Sequence, residues 1–174
     1  MKRFLLGLFV FTFIFACHAE KKSVQDGKSI VPEQYLEVIN KADSMTFIMI
    51  DPWSEATENW MDGYGEMLCS KTCGNKDFKA EWYNVLSNPK SFEASNLVKN
   101  CIFMPDFAIV FHAKKGDVTV AYSFYCDICR FAKKDKYVDL NGELVCKDFL
   151  NLMAKAFPKD RYVRYLIKKS KSNF

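Results

Sequence analysis

Two cysteines with the spacing of a redox pair, Cys126 and Cys129, form a Cys-x-x-Cys motif. Such a pair can exchange disulfides, because the second thiol resolves the mixed disulfide that the first one forms. The chemistry works best where a helix N-terminus lowers the pKa of the first thiol. Residues 130–136 predict a strand and a turn at that point instead. The motif therefore favours a structural role, and a periplasmic thiol–disulfide oxidoreductase is the alternative.

The spacing resembles the motif of the thioredoxin family, which places it where a strand ends and a helix begins. That resemblance implies catalytic roles for Cys126 and Cys129. The combination of aromatic residue, glycine and proline that surrounds the family's motif is missing from this sequence.

A predicted hairpin positions this motif. Apolar residues alternate with small or polar ones over residues 107–112 and again over residues 118–125. A turn centred on Lys115 and Gly116 pairs Phe111 with Val120, and it brings both apolar sets to one side of the sheet.

In that register Cys101 lies opposite position 130, beside Cys129. We therefore predict a Cys101–Cys129 disulfide that closes a loop of about 28 residues and contributes roughly 3–4 kcal/mol. Because Pro105 can bulge the strand and shift the register, Cys101–Cys126 is the alternative.

Three more cysteines, Cys69, Cys73 and Cys146, are disulfide candidates, because an even count in an exported protein favours bridges. Cys69 and Cys73 share a face if their segment is helical, or one of them reaches Cys146. Cys146 can also be a buried thiol on an apolar helix face. Cys69, Cys73, Cys126 and Cys129 together would suit a four-thiolate zinc site, but an oxidising compartment disfavours it. We expect no metal and no cofactor.

The first residues predict export. Lys2 and Arg3 precede an apolar run that ends at Phe15, which is the anatomy of a secretory signal peptide. The run is shorter than the roughly 20 residues of a membrane-spanning helix.

The end of this run resembles the lipobox of bacterial lipoproteins, with Ile14, Ala16 and Cys17 at the matching positions and Phe15 where the family has a smaller residue. The resemblance implies cleavage before Cys17 and acylation of Cys17, with palmitate among the acyl groups. Membrane lipid is then a partner, and the protein is a membrane-anchored lipoprotein of the cell envelope. Cleavage after Ala19, followed by secretion, is the alternative.

Length, composition and net charge limit the number of domains and the classes of function. Removing 16 residues from 174 leaves 158, enough for one domain, and the formal net charge falls from +4 to +2 because Lys2 and Arg3 are lost. A balance so near neutral is no signature of nucleic-acid binding. The two histidines, His18 and His112, have no nucleophile or ligand set beside them in the sequence, and no phosphate-binding loop or His-Glu-x-x-His motif occurs. We expect a binding role rather than catalysis.

Periodicity and turn residues predict an α+β fold, a mainly antiparallel sheet with helices packed on one side and disulfides to stabilise it. The predicted domain follows a signal peptide (residues 1–16) and a lipid-anchored flexible tether (residues 17–30); it spans residues 31–158, before a basic C-terminal tail (residues 159–174). One predicted helix opens at Pro32, a second is capped by Ser91, and a third carries Cys146 on its apolar face and ends at Pro158. The predicted strands are residues 45–50, 81–86, 107–112, 118–125, 130–132 and 137–140. Residues 51–80, which are acidic and aromatic, predict a loop that packs its rings on the domain, with a ligand surface as the alternative.

Residues 101–157 also resemble small uncharacterised bacterial domains, in which a cysteine shortly before a proline precedes a hairpin, a Cys-x-x-Cys motif and a closing helix. Cys101, Pro105, Cys126 and Cys129 match that pattern. The resemblance implies no activity.

Overall fold

The structure is a computed structural model that describes residues 28–53, 66–93 and 101–172. These residues form one six-stranded sheet, four α-helices and a short 3-10 helix. The predicted signal peptide, Cys17 and most of the helix predicted to begin at Ser91 lie outside the described residues. None of the described helices is both long enough and apolar enough to cross a membrane.

The α+β prediction is confirmed. The helices are α1 (Glu33–Asn40), α2 (Lys76–Ser87), α3 (Cys146–Ala156) and α4 (Arg161–Ser172), and a 3-10 helix covers Glu143–Val145. The strands are β1 (Ser44–Asp51), β2 (Glu66–Cys73), β3 (Phe107–His112), β4 (Val118–Ser123), β5 (Ile128–Lys133) and β6 (Lys136–Asn141). The helix predicted to open at Pro32 begins one residue later, with Pro32 as its N-cap. The helix predicted to carry Cys146 on its apolar face begins at Cys146.

The strand order is β2-β1-β3-β4-β5-β6, and all neighbouring pairs are antiparallel. Strand directions therefore alternate, and the sheet has two distinct ends. One end is closed by a disulfide, and we name it the disulfide end; its strand termini are Asp51, Glu66, Phe107, Ser123, Ile128 and Asn141. The opposite end, which we name the turn end, has the termini Ser44, Cys73, His112, Val118, Lys133 and Lys136.

One face of the sheet carries the main core, and all four helices contribute to it. The alternate residues of the strands point to this face. The strands supply Met45, Phe47, Met49, Phe107, Ile109, Phe111, Val118, Val120, Tyr122, Cys129, Phe131 and Leu140. The helices supply Tyr35, Ile39, Trp82, Leu86, Phe149, Met153 and Val163, among others.

The second face of the sheet carries a smaller core. Ile48, Ile50, Ala108 and Ala121 are buried there against Phe103. Phe103 belongs to residues 101–106, the segment that leads into β3. This segment therefore covers part of the face that the helices leave free.

The segment predicted as a strand over residues 81–86 is helical, which corrects that prediction. Asn75 caps α2 by accepting a hydrogen bond from the backbone N–H of Phe78 (3.0 Å). Phe78, Trp82 and Leu86 then recur every four residues, so one side of the helix faces the core. Of the residues that suggested a strand, Trp82 and Leu86 are buried on this side of the helix, and Tyr83 and Val85 are partly buried beside them.

The predicted hairpin is confirmed, but its register differs by two residues. Phe111 pairs with Val118 instead of Val120, and Phe107 pairs with Tyr122. The turn lies one residue earlier than predicted, because Gly116, with a φ of 101°, follows the turn rather than forming its centre, and its N–H donates to the carbonyl oxygen of Ala113 (2.9 Å). A shift of two residues keeps every side chain on its predicted face.

Candidate functional site

The disulfide joins Cys101 to Cys126, with a Cα–Cα distance of 6.1 Å. This is the alternative pairing of the sequence prediction, and the preferred Cys101–Cys129 pairing is wrong because Cys129 is unbridged and buried. Cys126 lies in the turn between β4 and β5, and Cys101 opens the segment that covers the second face. The bridge therefore fastens this segment to the sheet.

Arg130 completes the attachment of that segment. Its guanidinium lies 4.0 Å from the ring centroid of Phe103 and 4.1 Å from that of Tyr137, and it makes two 2.7 Å hydrogen bonds to the carboxylate of Asp139. A buried arginine in such a fork-to-fork pair has its charge compensated. Because Phe103 stacks on it, the arginine also holds residues 101–106 against β5.

The second cysteine of the motif faces the other way. Cys129 lies on β5 with its side chain in the main core, 0% exposed. Burial raises the pKa of its thiol well above the ordinary value. A resolving thiol must reach its partner as a thiolate, whereas Cys129 is protonated and lies across the sheet from the segment that Cys126 holds. The geometry supports a structural bridge at this motif better than disulfide exchange.

The remaining cysteines do not come together with the motif. Cys69 and Cys73 lie on β2, which is a strand rather than a helix, and four strand positions separate it from β5, roughly 19 Å. A zinc site built from both pairs is therefore ruled out by this sheet order. Within the described residues no group of three or more histidine, cysteine or acidic side chains could hold a metal ion.

A buried tyrosine connects the motif with α3. The Tyr122 hydroxyl donates to the carbonyl oxygen of Gly142 (3.0 Å), lies 3.3 Å from Asp127 Oδ1, and hydrogen-bonds to the thiol of Cys146. Burial raises the pKa of both Tyr122 and Cys146, so the hydroxyl and the thiol both keep their protons near neutral pH. A Cβ at Gly142 would lie 2.6 Å from Tyr122 Cε2, so this position requires a glycine. The cluster packs the end of β6 against β4.

A buried carboxylate ties α4 to the disulfide end. Asp106 is 3% exposed, and it accepts hydrogen bonds from the backbone N–H of Phe124 (2.6 Å) and from the Tyr162 hydroxyl. Burial raises the pKa of Asp106, although both hydrogen bonds oppose that shift. Burial, followed by the bond to Asp106, raises the pKa of Tyr162. No periodic pattern predicts this contact, because the two residues lie 56 positions apart in the sequence.

The disulfide end also exposes large apolar side chains. Trp53 and Tyr125 are 66% and 68% exposed, and their rings meet edge to face with centroids 5.7 Å apart. Ile102 is 66% exposed, and its carbonyl oxygen lies 3.3 Å from the bridged sulfur of Cys126 in this turn. The two rings and the isoleucine thus surround the disulfide.

A row of hydrogen-bonded polar side chains lies on the surface at the turn end. Nδ1 of His112 lies 2.9 Å from the Asp117 carboxylate, and Nε2 lies 2.9 Å from the Thr46 hydroxyl. The Thr46 hydroxyl lies 3.1 Å from the Thr72 hydroxyl. In the tautomer with its hydrogen on Nδ1, the ring donates to Asp117 and accepts from Thr46. A nucleophile, a base and an orienting carboxylate are the parts of an acyl-transfer site. Thr46 lies on the interior strand β1, whose amides form the ladders to β2 and β3 and cannot also stabilise an oxyanion. These side chains therefore form a hydrogen-bonded surface network that links β1, β2 and β3.

Sequence reasoning missed this network because its members are 5 to 66 residues apart and meet only through strand pairing. His112 and Asp117 face each other across the β3–β4 turn, and the correct register would have paired them. Comparison of the chain with models of protein families, with curated proteins and with solved structures gives no match.

Proposed function

We propose that the protein is an exported, lipid-anchored bacterial envelope protein with a non-catalytic binding role, and that the disulfide end is its contact surface. Export and anchoring rest on the lipobox-like segment that ends at Cys17. The contact surface rests on the distribution of exposed apolar side chains in the described part of the chain.

Among the described residues, eight large hydrophobic side chains are exposed, and six of them lie at or beside the disulfide end. These six are Trp53, Met67, Leu68, Ile102, Tyr125 and Leu144. Exposed apolar side chains that gather in one place mark interaction sites, whereas scattered ones are ordinary. Tryptophan and tyrosine are also the residue types that carry the most energy in protein interfaces. The disulfide and the stacked Arg130 keep this surface rigid, which lowers the entropy lost on binding.

Site-specific photo-crosslinking in living cells tests the contact surface. Tyr125 is replaced by the photoreactive residue p-benzoylphenylalanine, and Tyr137, an exposed ring at the turn end, is replaced in the matched control. We expect a discrete crosslinked product from position 125 only, and we expect Trp53→Ala to weaken it because this ring borders Tyr125. Equal products from both positions, or a product from position 137 alone, would contradict the proposed surface.

Fractionation tests the anchor separately. Cys17→Ala should release the protein from the membrane fraction and abolish incorporation of labelled palmitate. A variant that remains in the membrane fraction, or a parent protein that never enters it, would overturn the lipoprotein proposal. Thiol labelling of the native protein tests the redox alternative: a reactive thiolate at Cys126 would favour it, and an intact Cys101–Cys126 bridge opposes it.

A further inference from the structure

The outer side of α4 is a basic stripe. Arg161, Arg164, Tyr165 and Lys168 recur at the spacing of one helix face, and all four are exposed. No acidic residue occurs in the helix, and Lys169 adds a further exposed cation beside the stripe.

The inner side of α4 is already occupied. Val163 is 2% exposed in the main core, and Tyr162 and Ile167 pack against the same core. Tyr162 also donates its hydroxyl hydrogen to the buried carboxylate of Asp106 and stacks on Tyr165, with centroids 6.4 Å apart. The helix is therefore part of the domain, and its apolar side is not free to insert into a bilayer.

The lysines of the turn end form a contrasting surface. Lys114, Lys115, Lys133, Lys134 and Lys136 lie in the two turns there, but Glu37, Asp117 and Asp135 lie among them. Coulombic interactions lower the pKa of Glu37, after its hydrogen bond to Lys41, and two of the lysines that act on it are Lys115 and Lys133. The turn end thus has three acidic residues among its five lysines. The α4 stripe has no acidic residue in its helix, and the acidic residue next to it in sequence, Asp160, precedes the helix and accepts a hydrogen bond from the backbone N–H of Val163 (2.9 Å).

We infer that the α4 stripe lies on the anionic headgroups of the membrane to which the protein is anchored, an inference that rests on the proposed function. In the proposed lipoprotein only residues 17–30 separate the acylated Cys17 from the domain, and an unstructured chain of 14 residues spans about 20 Å, so the domain would stay close to the bilayer surface. Basic side chains within a Debye length of an anionic surface are attracted to it. Tyr165, in the middle of the stripe, has the ring and hydroxyl that suit the headgroup level. The contact is a surface contact, because the core holds the apolar side of the helix.

Amine footprinting on vesicles tests this contact. The acylated protein is reconstituted into vesicles of phosphatidylcholine alone or with a roughly one-third share of phosphatidylglycerol, and the acetylation rate of each lysine is measured by mass spectrometry. We expect Lys168 and Lys169 to react at least about threefold more slowly on the anionic vesicles than on the neutral ones. Lys134 and Lys136, at the turn end, should react at the same rate on both, and 0.5 M salt, at which the Debye length is about 4 Å, should remove the protection.

Charge reversal gives the matched comparison. R161E/K168E should abolish the protection of Lys169, whereas K114E/K134E, which changes the net charge equally at the turn end, should leave it intact. Equal protection on neutral vesicles, no protection on either vesicle, or loss of protection in both variants alike would overturn the inference. Protection of the same lysines by soluble glycerol phosphate would overturn it as well, because the stripe would then be a site for free phosphate.

This experiment distinguishes a failure of the proposed acyl anchor from a failure of the proposed contact between α4 and the membrane. Sedimentation with neutral vesicles reports the acyl anchor, since no anionic headgroup is present. The difference in acetylation between the two vesicle types reports α4 alone. A protein that does not sediment with neutral vesicles but is still protected by anionic ones would refute the anchor and support the stripe.

Discussion

The connections between the six antiparallel strands are held in place by different means at the two ends of the sheet. At the turn end the chain reverses in tight, solvated turns, and a surface chain from Asp117 through His112 to Thr46 links the strands. At the disulfide end the connections are longer, and a covalent bridge, a buried carboxylate and a glycine that touches Tyr122 hold them. Of the eight large apolar side chains that are exposed among the described residues, six lie at or beside the disulfide end, and Tyr137 lies at the turn end.

The comparison suggests that the disulfide end is reinforced because it exposes apolar surface. A long connection with exposed rings gains little from its own packing, so it needs fixed attachment points to keep one conformation. The short turns of the other end need none. Matched substitutions at the two ends can test this difference, since each residue type that holds the disulfide end (cysteine, glycine and aspartate) also occurs at the turn end.

Removing the bridge should have the largest effect. Cys101→Ser/Cys126→Ser opens a loop with a sequence separation of 25 residues, which should lower the free energy of unfolding by about 3–4 kcal/mol. Cys73→Ser, an unbridged cysteine at the turn end, is the control and should change it by less than about 1 kcal/mol. Urea unfolding monitored by the fluorescence of the buried Trp82 measures both. Equal losses in the two variants would show that the bridge does not distinguish the ends.

A single methyl group should have the next largest effect. In Gly142→Ala the new Cβ meets the fully buried ring of Tyr122 at 2.6 Å, and neither the ring nor the backbone can yield freely. Such overpacking costs about 1–3 kcal/mol. Gly74→Ala, just beyond β2 at the turn end, meets nothing within 4 Å and should leave stability unchanged or slightly higher. Thermal unfolding of the two variants, side by side, checks this, and a smaller loss for Gly142→Ala than for Gly74→Ala would contradict it.

The sequence predicted the turn end better than the disulfide end, and the reason is physical. Alternation over residues 107–125 fixes which side chains face the core, so the hairpin and its faces follow from local pattern. Its register was wrong by two residues because the position of Gly116 relative to the turn depends on backbone geometry, not on composition.

The structure of the disulfide end depends on contacts between residues that are far apart in the sequence. The choice between Cys126 and Cys129 as the partner of Cys101 depends on the path of residues 101–106, which cross to the second face and carry no periodic signal. The contact of Asp106 with Tyr162 joins residues from elements that share no local pattern. Local pattern could identify α4 as helical through Tyr162 and Tyr165, but not its attachment to the core.

The last and smallest expected effect concerns one carboxylate at each end. Asp106 at the disulfide end is buried, whereas the side chain of Asp117 at the turn end is 50% exposed beside His112. Burial raises the pKa of Asp106 in the folded protein. A carboxyl with a raised pKa binds its proton more tightly when folded, so it favours folding fully below the unfolded pKa of about 3.9. This contribution is lost as the pH rises through the folded pKa.

Asp106→Asn removes that titration and keeps a donor and an acceptor for Tyr162 and Phe124. The free energy of unfolding of the native protein, minus that of this variant, should therefore fall by on the order of 1 kcal/mol as the pH rises from about 4 toward neutrality. Asp117→Asn is the matched control, because it removes one negative charge at a carboxylate that is half exposed rather than buried. Urea titrations at several pH values measure both differences. If this difference rises with pH for Asp106→Asn, the hydrogen bonds to the ionised carboxylate outweigh the cost of burying it. The ionised form of Asp106 would then stabilise the disulfide end.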